Sequence, residues 1–296
     1  MKGKFDKPEL FDEKKINGKN KSVLSRIFFA IFIIYICFFV VFMCFFINFK
    51  VKFDCVPVKG VSMQPTINKE AVLTSVDDSA YDWVYISKEN HIEYGDIVVF
   101  DARKHITDSE QKKLIKRVIA LEGDAITIRL IYDEVLEKEV YKVCRARAEA
   151  LADGKIASEE VEILEEDYTS SKESWVQYFV PTYYQGYSYE LSFVETFFDQ
   201  GNYELIKDEN EVIYAIVPEE EFFYLGDHRC HSSDSRDRGT DRLKSINGVV
   251  QIIVPNAENS SSRFVVQMKT TLNYYLDMIG NFFTGLWNSL EKAFAI

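Results

Sequence analysis

One serine and one lysine stand out in this sequence because their surroundings suit nucleophilic attack and proton transfer. Ser62 lies in the stretch Gly-Val-Ser-Met-Gln-Pro-Thr, residues 60–66, shortly after a long apolar segment. Lys116 has apolar neighbours on both sides within residues 114–119. A serine hydroxyl is almost inert at its ordinary pKa, and a lysine can act as its base when burial keeps the amine neutral. The pair therefore predicts a serine nucleophile activated by a lysine.

Each of these residues also has a simpler interpretation when it is taken alone. A serine close to Pro-Thr, as Ser62 is, most often caps or stabilises a turn. A lysine beside an arginine, as Lys116 is beside Arg117, is most often exposed to solvent. The chemical interpretation therefore depends on the motifs that surround the two residues.

Four further stretches of sequence follow residues 60–66 in order along the chain. They read Gly-Asp-Ile-Val-Val-Phe (95–100), Leu-Ile-Lys-Arg-Val-Ile-Ala-Leu-Glu-Gly-Asp (114–124), Val-Pro-Glu-Glu-Glu-Phe-Phe-Tyr-Leu (217–225) and Gly-Asp-His-Arg-Cys-His-Ser-Ser-Asp-Ser-Arg (226–236). Together, the five stretches resemble the motifs of type I bacterial signal peptidases. The resemblance extends from the apolar segment to about residue 254 and leaves residues 134–212 unmatched.

The resemblance implies a role for each matching residue. Ser62 would be the nucleophile, with its backbone amide as one oxyanion donor, and Lys116 would be the general base and later the general acid. Gly60 stands where some family members carry a serine that supplies the second oxyanion donor, so that donor stays unassigned. Ser232 would hydrogen-bond the lysine amine and orient it, and Asp227 would be structural.

The last stretch both matches the family pattern and departs from it. Asp234 and Arg236 match, and the resemblance implies that they brace the loop behind the lysine. His228, Cys230 and His231 stand where the family usually has asparagine. These three side chains raise the alternative of a metal site, but only three ligands cluster there. We therefore expect neither a metal nor another cofactor.

The apolar segment is predicted to anchor the chain in a membrane. Residues 27–47 form a run of 21 apolar or aromatic residues, which as a helix spans roughly 30 Å, the thickness of a bilayer core. A cleavable signal peptide has a shorter apolar region and ends in a small-residue cleavage site, which this run lacks. We therefore predict an uncleaved anchor over residues 27–49.

The charge distribution indicates how this anchor is oriented and excludes one class of partner. The whole chain has a net charge of −12, and residues 1–26 carry eight Lys or Arg against four Asp or Glu, a net +4. A basic N-terminal flank favours a cytoplasmic tail over residues 1–26, with the rest of the protein outside. No basic face is visible beyond this tail, so nucleic acid is not an expected partner.

Short runs of β-branched and aromatic residues bounded by turn signals predict a mainly β fold. Residues 122–124 read as a turn between two strands, in a pattern typical of a hairpin. The resemblance implies a signal-peptidase-like β fold, with a catalytic domain formed by residues 50–133 and 213–256. The predicted strands are 51–58, 71–76, 96–100, 111–121, 125–132, 213–217, 222–225 and 248–254.

The unmatched residues 134–212 are predicted to form an inserted cap region. Residues 134–173 are rich in Glu, Lys and Ala, which favours a partly helical structure. Residues 175–203 are rich in aromatic residues, which favours strands.

The C-terminal residues 263–296 are predicted to form an amphipathic helix. Apolar residues recur there at steps of three and four, with polar residues between them. Two alternatives remain open for the apolar face: it packs against the β core, or it lies in the membrane interface. The recurring apolar residues are Leu272, Leu276, Ile279, Phe283, Leu286, Leu290 and Phe294.

The resemblance implies a membrane-anchored signal peptidase I, a serine endopeptidase that cleaves signal peptides from exported preproteins after small residues. Its partners would be preproteins and membrane lipid, and it would cross the cell membrane once, with the catalytic domain outside the cytoplasm. A self-cleaving repressor-type protease shares the serine and lysine but has a DNA-binding domain in place of the anchor. The other alternative is an inactive or specialised homologue that acts in surface-protein or pilin assembly.

Overall fold

In the computed structural model of this protein, the described residues form two large antiparallel sheets, of seven and five strands, and two long helices. The structure describes residues 13–69, 82–88, 91–103, 112–134, 137–152, 155–157, 160–164, 203–228, 232–255 and 263–294. These residues divide into two compact units, one of Lys52–Val266 and one of Met1–Val51 with Gln267–Ile296. The predicted mainly β fold is confirmed.

Among its described residues, the larger unit contains fourteen strands and a short α-helix, α2 (Ser235–Arg238). A seven-stranded sheet has the order β1-β2-β14-β3-β4-β12-β13, and a five-stranded sheet has the order β10-β11-β5-β6-β9. Strands β7 and β8 pair with each other. The strands are β1 (Phe53–Pro57), β2 (Trp83–Ser87), β3 (Ile97–Asp101), β4 (Lys113–Leu121), β5 (Ala125–Asp133), β6 (Lys138–Ala146), β7 (Leu151–Ala152), β8 (Lys155–Ile156), β9 (Val161–Ile163), β10 (Leu205–Lys207), β11 (Ile213–Ile216), β12 (Glu221–Leu225), β13 (Asp241–Arg242) and β14 (Ile246–Val254).

The centre of the seven-stranded sheet is rigid because its strands are buried and carry large apolar side chains. Phe100 of β3 packs edge-on against Phe222 and Tyr224 of β12, with ring centroids 5.1 and 4.7 Å apart. Strand β4 lies between these two strands, and its Val118 is fully buried in the same cluster. Lys116 therefore lies on a strand that is paired with a neighbouring strand on each side.

The turn at residues 122–124 carries the chain from one sheet to the other. Strand β4 pairs with β3 and β12, whereas β5 pairs with β6 and β11. The predicted turn and strands are correct, but the hairpin pairing between them is wrong. Gly123 adopts a φ of +81°, and the Asp124 carboxylate accepts a hydrogen bond from the Leu121 amide at 2.8 Å.

The described part of residues 134–173 is strand rather than helix. Strand β6 pairs with β5 along its full length, from Asp133↔Lys138 to Ala125↔Ala146. The predicted helical character is wrong there, apart from a 3₁₀ turn at Ala148–Ala150 and 3₁₀ geometry at Glu160, because sheet pairing outweighs a composition that only weakly favours helix. The predicted strands at 71–76 and 175–203 lie almost entirely outside the described residues.

The described part of the smaller unit is formed by nearly all of two long helices, α1 (Glu13–Lys52) and α3 (Arg263–Phe294). The segment Ser25–Lys52 of α1 is long and apolar enough to cross a membrane, and it alone meets this criterion among the residues that the structure describes. Helix α3 covers the C-terminal segment predicted to be helical.

Candidate active site

Ser62 and Lys116 lie in direct contact although 53 residues separate them in the sequence. The Lys116 Nζ donates a hydrogen bond to the Ser62 Oγ at 2.7 Å and another to the Ile115 carbonyl at 3.0 Å. Ser62 stands in the turn that follows β1, and Lys116 stands in the middle of β4. The arrangement places an amine where it can accept the serine proton.

Burial makes this amine easier to deprotonate than an ordinary lysine. The side chain of Lys116 is only 3% exposed. Loss of hydration lowers the pKa of Lys116 from 10.5 to about 8, opposed by the negative charges of Asp234 and Asp227 and assisted by Arg236 and Arg238. At pH 7 roughly one-tenth of such amines is neutral, against about one in 3,000 at the ordinary pKa.

The turn that carries Ser62 is fixed by buried apolar side chains on either side of it. Met63 and Ile67 pack into the cluster formed by strands β2 and β3, and they are 2% and 0% exposed. The Ile67 amide donates to the Met63 carbonyl at 2.9 Å, which closes one turn between them. Ser62 precedes this anchored turn directly, so its backbone has little freedom.

Asn68 also holds the Ser62 turn, and the sequence analysis did not identify it. Its side-chain amide donates to the carbonyls of Val58 and Gly60 at 3.0 and 2.7 Å. Two further hydrogen bonds join Asn68 to Asp82. The Asn68 backbone amide donates to the Asp82 carboxylate, and the Asp82 backbone amide donates to the Asn68 side-chain oxygen, both at 2.7 Å. Asn68 adopts a φ of +59°, which asparagine tolerates better than most residues. The only sequence feature that could have indicated that Asn68 holds the turn is its position directly after Pro-Thr-Ile.

Asp227 connects the Ser62 turn to strand β4. Its carboxylate receives two bonds from the Arg117 guanidinium, at 2.8 and 2.6 Å, and one from the Thr66 hydroxyl at 2.6 Å. Arg117 also donates to the Gly95 carbonyl at 2.6 Å. Because Arg117 follows Lys116 directly, this ion pair fixes the backbone on both sides of the Ser62–Lys116 contact.

Asp234 and Arg236 form a second buried ion pair close to the lysine. The guanidinium of Arg236 donates to both oxygens of Asp234, at 2.6 and 2.9 Å. The Arg236 side chain is 5% exposed and the Asp234 side chain 0%. Asp234 also accepts a bond from the Gly226 amide at 3.0 Å. The pair therefore joins the start of α2 to the end of β12.

Gly226, which directly follows β12, lies close to the backbone of the Ser62 turn. A Cβ atom at this position would lie 2.5 Å from the Ser62 carbonyl oxygen and 2.1 Å from the Ser232 Oγ. The Ser62 carbonyl also accepts a bond from the His228 amide at 3.0 Å. Only glycine leaves room for this contact.

Gly60 and Ser232 make no contact of the kind that the resemblance implies, oxyanion binding for Gly60 and orientation of Lys116 for Ser232, among the described residues. Gly60 has a φ of +90°, and a Cβ there would meet no heavy atom of the described residues within 4 Å. The buried Ser232 Oγ makes no hydrogen bond within the described part of the chain, to Lys116 or to any other residue. The second oxyanion donor stays unassigned, and the pairing of Ser232 with Lys116 stays a prediction.

The histidines and cysteine that raised the metal alternative are only partly described. The His228 Nδ1 lies 3.1 Å from the Val61 carbonyl oxygen. Cys230 and His231 lie outside the described residues. Within the ranges that the structure describes, no group of three or more His, Cys, Asp or Glu side chains is arranged to hold a metal ion.

The sequence and the structure were compared with known protein families and solved structures. Residues 26–255 match the family model described as "Signal peptidase, peptidase S26". A crystal structure of a signal peptidase I from Enterococcus faecalis is similar at 22% sequence identity and a TM-score of 0.31, over 54% of this chain and 97% of that one. No protein of curated function matches the sequence. The family match covers every candidate site residue.

Proposed function

Because the chain belongs to the signal peptidase family, peptidase S26, we propose that it is a membrane-anchored signal peptidase I with a Ser62–Lys116 dyad. Its substrates are exported preproteins, which it cleaves after small residues at the end of the signal peptide. The contact of 2.7 Å between the Lys116 Nζ and the Ser62 Oγ carries this proposal.

Acylation follows from the protonation states of the two residues. The neutral Lys116 amine accepts the Ser62 proton as the Ser62 Oγ bonds to the carbonyl carbon of the scissile peptide. The Ser62 backbone amide donates to the developing oxyanion. When the C–N bond breaks, the Lys116 ammonium returns its proton to the leaving amine, and the signal peptide stays esterified to Ser62.

Deacylation repeats the same proton transfers with water. The amine of Lys116, neutral again, removes a proton from water as the water oxygen bonds to the ester carbon. The ammonium then protonates the Ser62 Oγ as the ester bond breaks. This cycle needs only one titrating side chain, which alternates between base and acid.

The pH dependence of cleavage tests the role of Lys116. Only the neutral amine is active, so a pKa lowered to about 8 extends activity toward neutral pH. We expect kcat/KM to fall about tenfold for each pH unit below that pKa and to level off above it. The measurement is preprotein cleavage across this range of pH.

The control for this profile is His228→Asn, because the His228 ring lies against Val61, beside the nucleophile. The acid limb should remain unchanged in this variant. A profile that is flat below pH 8, or an acid limb that disappears with His228, would contradict the assignment of Lys116 as the base.

We also propose that the domain bearing the dyad lies outside the cytoplasm. The more basic flank of the anchor is residues 1–26, which favours a cytoplasmic N-terminus. Protease added to the outside of spheroplasts should therefore digest the chain beyond Lys50. Digestion from the cytoplasmic side alone would contradict this orientation.

A further inference from the structure

The apolar stripe of the C-terminal helix α3 is exposed. The stripe is defined by Leu272, Leu276, Ile279, Phe283 and Leu286, whose exposed fractions run from 44% to 61%. An amphipathic helix that packs on its own protein normally buries such a stripe. Among the described residues, this stripe is exposed instead.

The side of α3 that is buried is its more polar side. Gln267, Thr270, Thr271 and Tyr275 are each at most 9% exposed, and their spacing of three and four residues places them on one face of the helix. The described residues of α3 therefore bury the polar face and expose the apolar one.

Contacts with the membrane-spanning helix show where α3 lies along that helix. The rings of Phe45 and Tyr275 are 4.6 Å apart, those of Phe49 and Tyr274 are 5.6 Å apart, and the Tyr275 hydroxyl donates to the Asn48 side chain at 2.7 Å. These residues of α1 stand at the end of its apolar run, residues 27–47. Helix α3 therefore meets α1 at the level where α1 leaves the hydrocarbon core.

Beyond this contact the two helices do not cover each other. The side chains of α1 from residue 25 to residue 41 are all exposed, and so are those of α3 from residue 276 to residue 287. The backbone of α3 continues to Phe294, so the part after Tyr275 is roughly 28 Å long. The free part of α3 starts at the membrane boundary and carries the exposed stripe.

We propose that this part of α3 lies in the membrane interface, with its apolar stripe covered by the outer ends of the phospholipid acyl chains. Asn273, Asp277 and Asn281 are exposed on the other side of the helix, and these polar groups exclude burial in the hydrocarbon core. Trp287 and Phe282, which flank the stripe and are 63% and 67% exposed, are residue types that favour the interface. The proposal rests on α1 crossing the membrane and is independent of the dyad chemistry.

Apolar contact, rather than attraction to anionic lipid, dominates this interaction. Helix α3 carries three basic residues, Arg263, Lys269 and Lys292, against Asp277 and Glu291, a net charge of only +1. Interfacial binding of a helix scales with its buried apolar area plus any electrostatic attraction. The lipid contact should therefore form in zwitterionic phosphatidylcholine and resist added salt.

Fluorescence of Trp287 in the full-length chain tests the proposal. The protein is reconstituted in phosphatidylcholine vesicles with bromine atoms on the acyl chains near the headgroup, and tryptophan quenching is compared between the parental chain and Trp287→Phe. We expect a blue-shifted, bromine-quenched component that is lost in Trp287→Phe. As a matched control, Asn281→Trp in the Trp287→Phe background places tryptophan on the polar face and should not restore the quenching.

Two results would overturn the proposal. One is bromine quenching of equal extent in the parental chain and in Trp287→Phe. This result would mean that Trp287 lies in water. The other is a blue-shifted Trp287 that bromine does not quench, together with energy transfer between labelled copies, which would mean that a second chain covers the stripe. Neither result would change preprotein cleavage in detergent, so the dyad proposal is tested separately.

Discussion

Replacing Ser62 with alanine, or Lys116 with methionine, is expected to lower the rate of preprotein cleavage by on the order of 10⁴-fold or more. The first change removes the nucleophile, and the second removes its base while keeping a long apolar side chain in the same buried space. Both variants should keep the fold, because neither residue carries the ion pairs that hold the site together. The measurement is single-turnover cleavage, with circular dichroism and thermal unfolding to verify the fold.

Two conservative variants serve as controls for these substitutions. Lys113→Met changes an exposed lysine on the same strand as Lys116, and Ser233→Ala changes an exposed serine beside Ser232. Both should cleave at nearly the parental rate. Near-parental cleavage by Ser62→Ala or Lys116→Met would instead refute the dyad.

Gly226→Ala is expected to reduce kcat by about 100-fold, because a small displacement of a reacting group has an effect of this size. Its Cβ would lie 2.5 Å from the Ser62 carbonyl oxygen. That oxygen belongs to the backbone, so relief of the clash needs a backbone shift of Gly226 or Ser62, and a shift of Ser62 changes its geometry to Lys116. We expect kcat to change more than KM, and the measurement is steady-state kinetics corrected for the folded fraction.

The matched control for this clash is Gly248→Ala in strand β14. Its Cβ would lie 2.4 Å from the Ser87 carbonyl oxygen, so the steric conflict is similar but involves no dyad residue. This variant should lose stability while its folded fraction keeps the parental kcat. If Gly226→Ala also lost stability but kept the parental kcat, the contact of Gly226 with Ser62 would matter for the fold only. The expectation that this contact positions Ser62 for catalysis would then be wrong.

The two residues of the proposed dyad could be singled out from the sequence because each lies in a long local motif. Ser62 is recognisable from Pro-Thr after it, and Lys116 from its apolar neighbours and the adjoining arginine. The apolar helix was equally predictable, since length and composition alone decide whether a helix can span a bilayer. Family membership and the mainly β class are confirmed.

Contacts that depend on long-range pairing were not accessible from the sequence. The bonds of Asn68 to Asp82 and the clearance at Gly226 exist only once distant segments have met. The hairpin predicted around residues 122–124 was wrong for the same reason, because local turn chemistry fixes a reversal of the chain but not the partner of each strand. Periodicity likewise predicts the two faces of α3 but not which of them is buried.

The most direct measurement of the central claim is the N-terminal sequence of the product formed when the purified full-length chain acts on a preprotein. The dyad account predicts one new N-terminus, directly after a small residue at the end of the signal peptide, and no such product with Ser62→Ala. The same product formed at the parental rate by Ser62→Ala would contradict the account. Absence of any product from the parental chain would also contradict it, and would favour an inactive homologue that acts in surface-protein or pilin assembly.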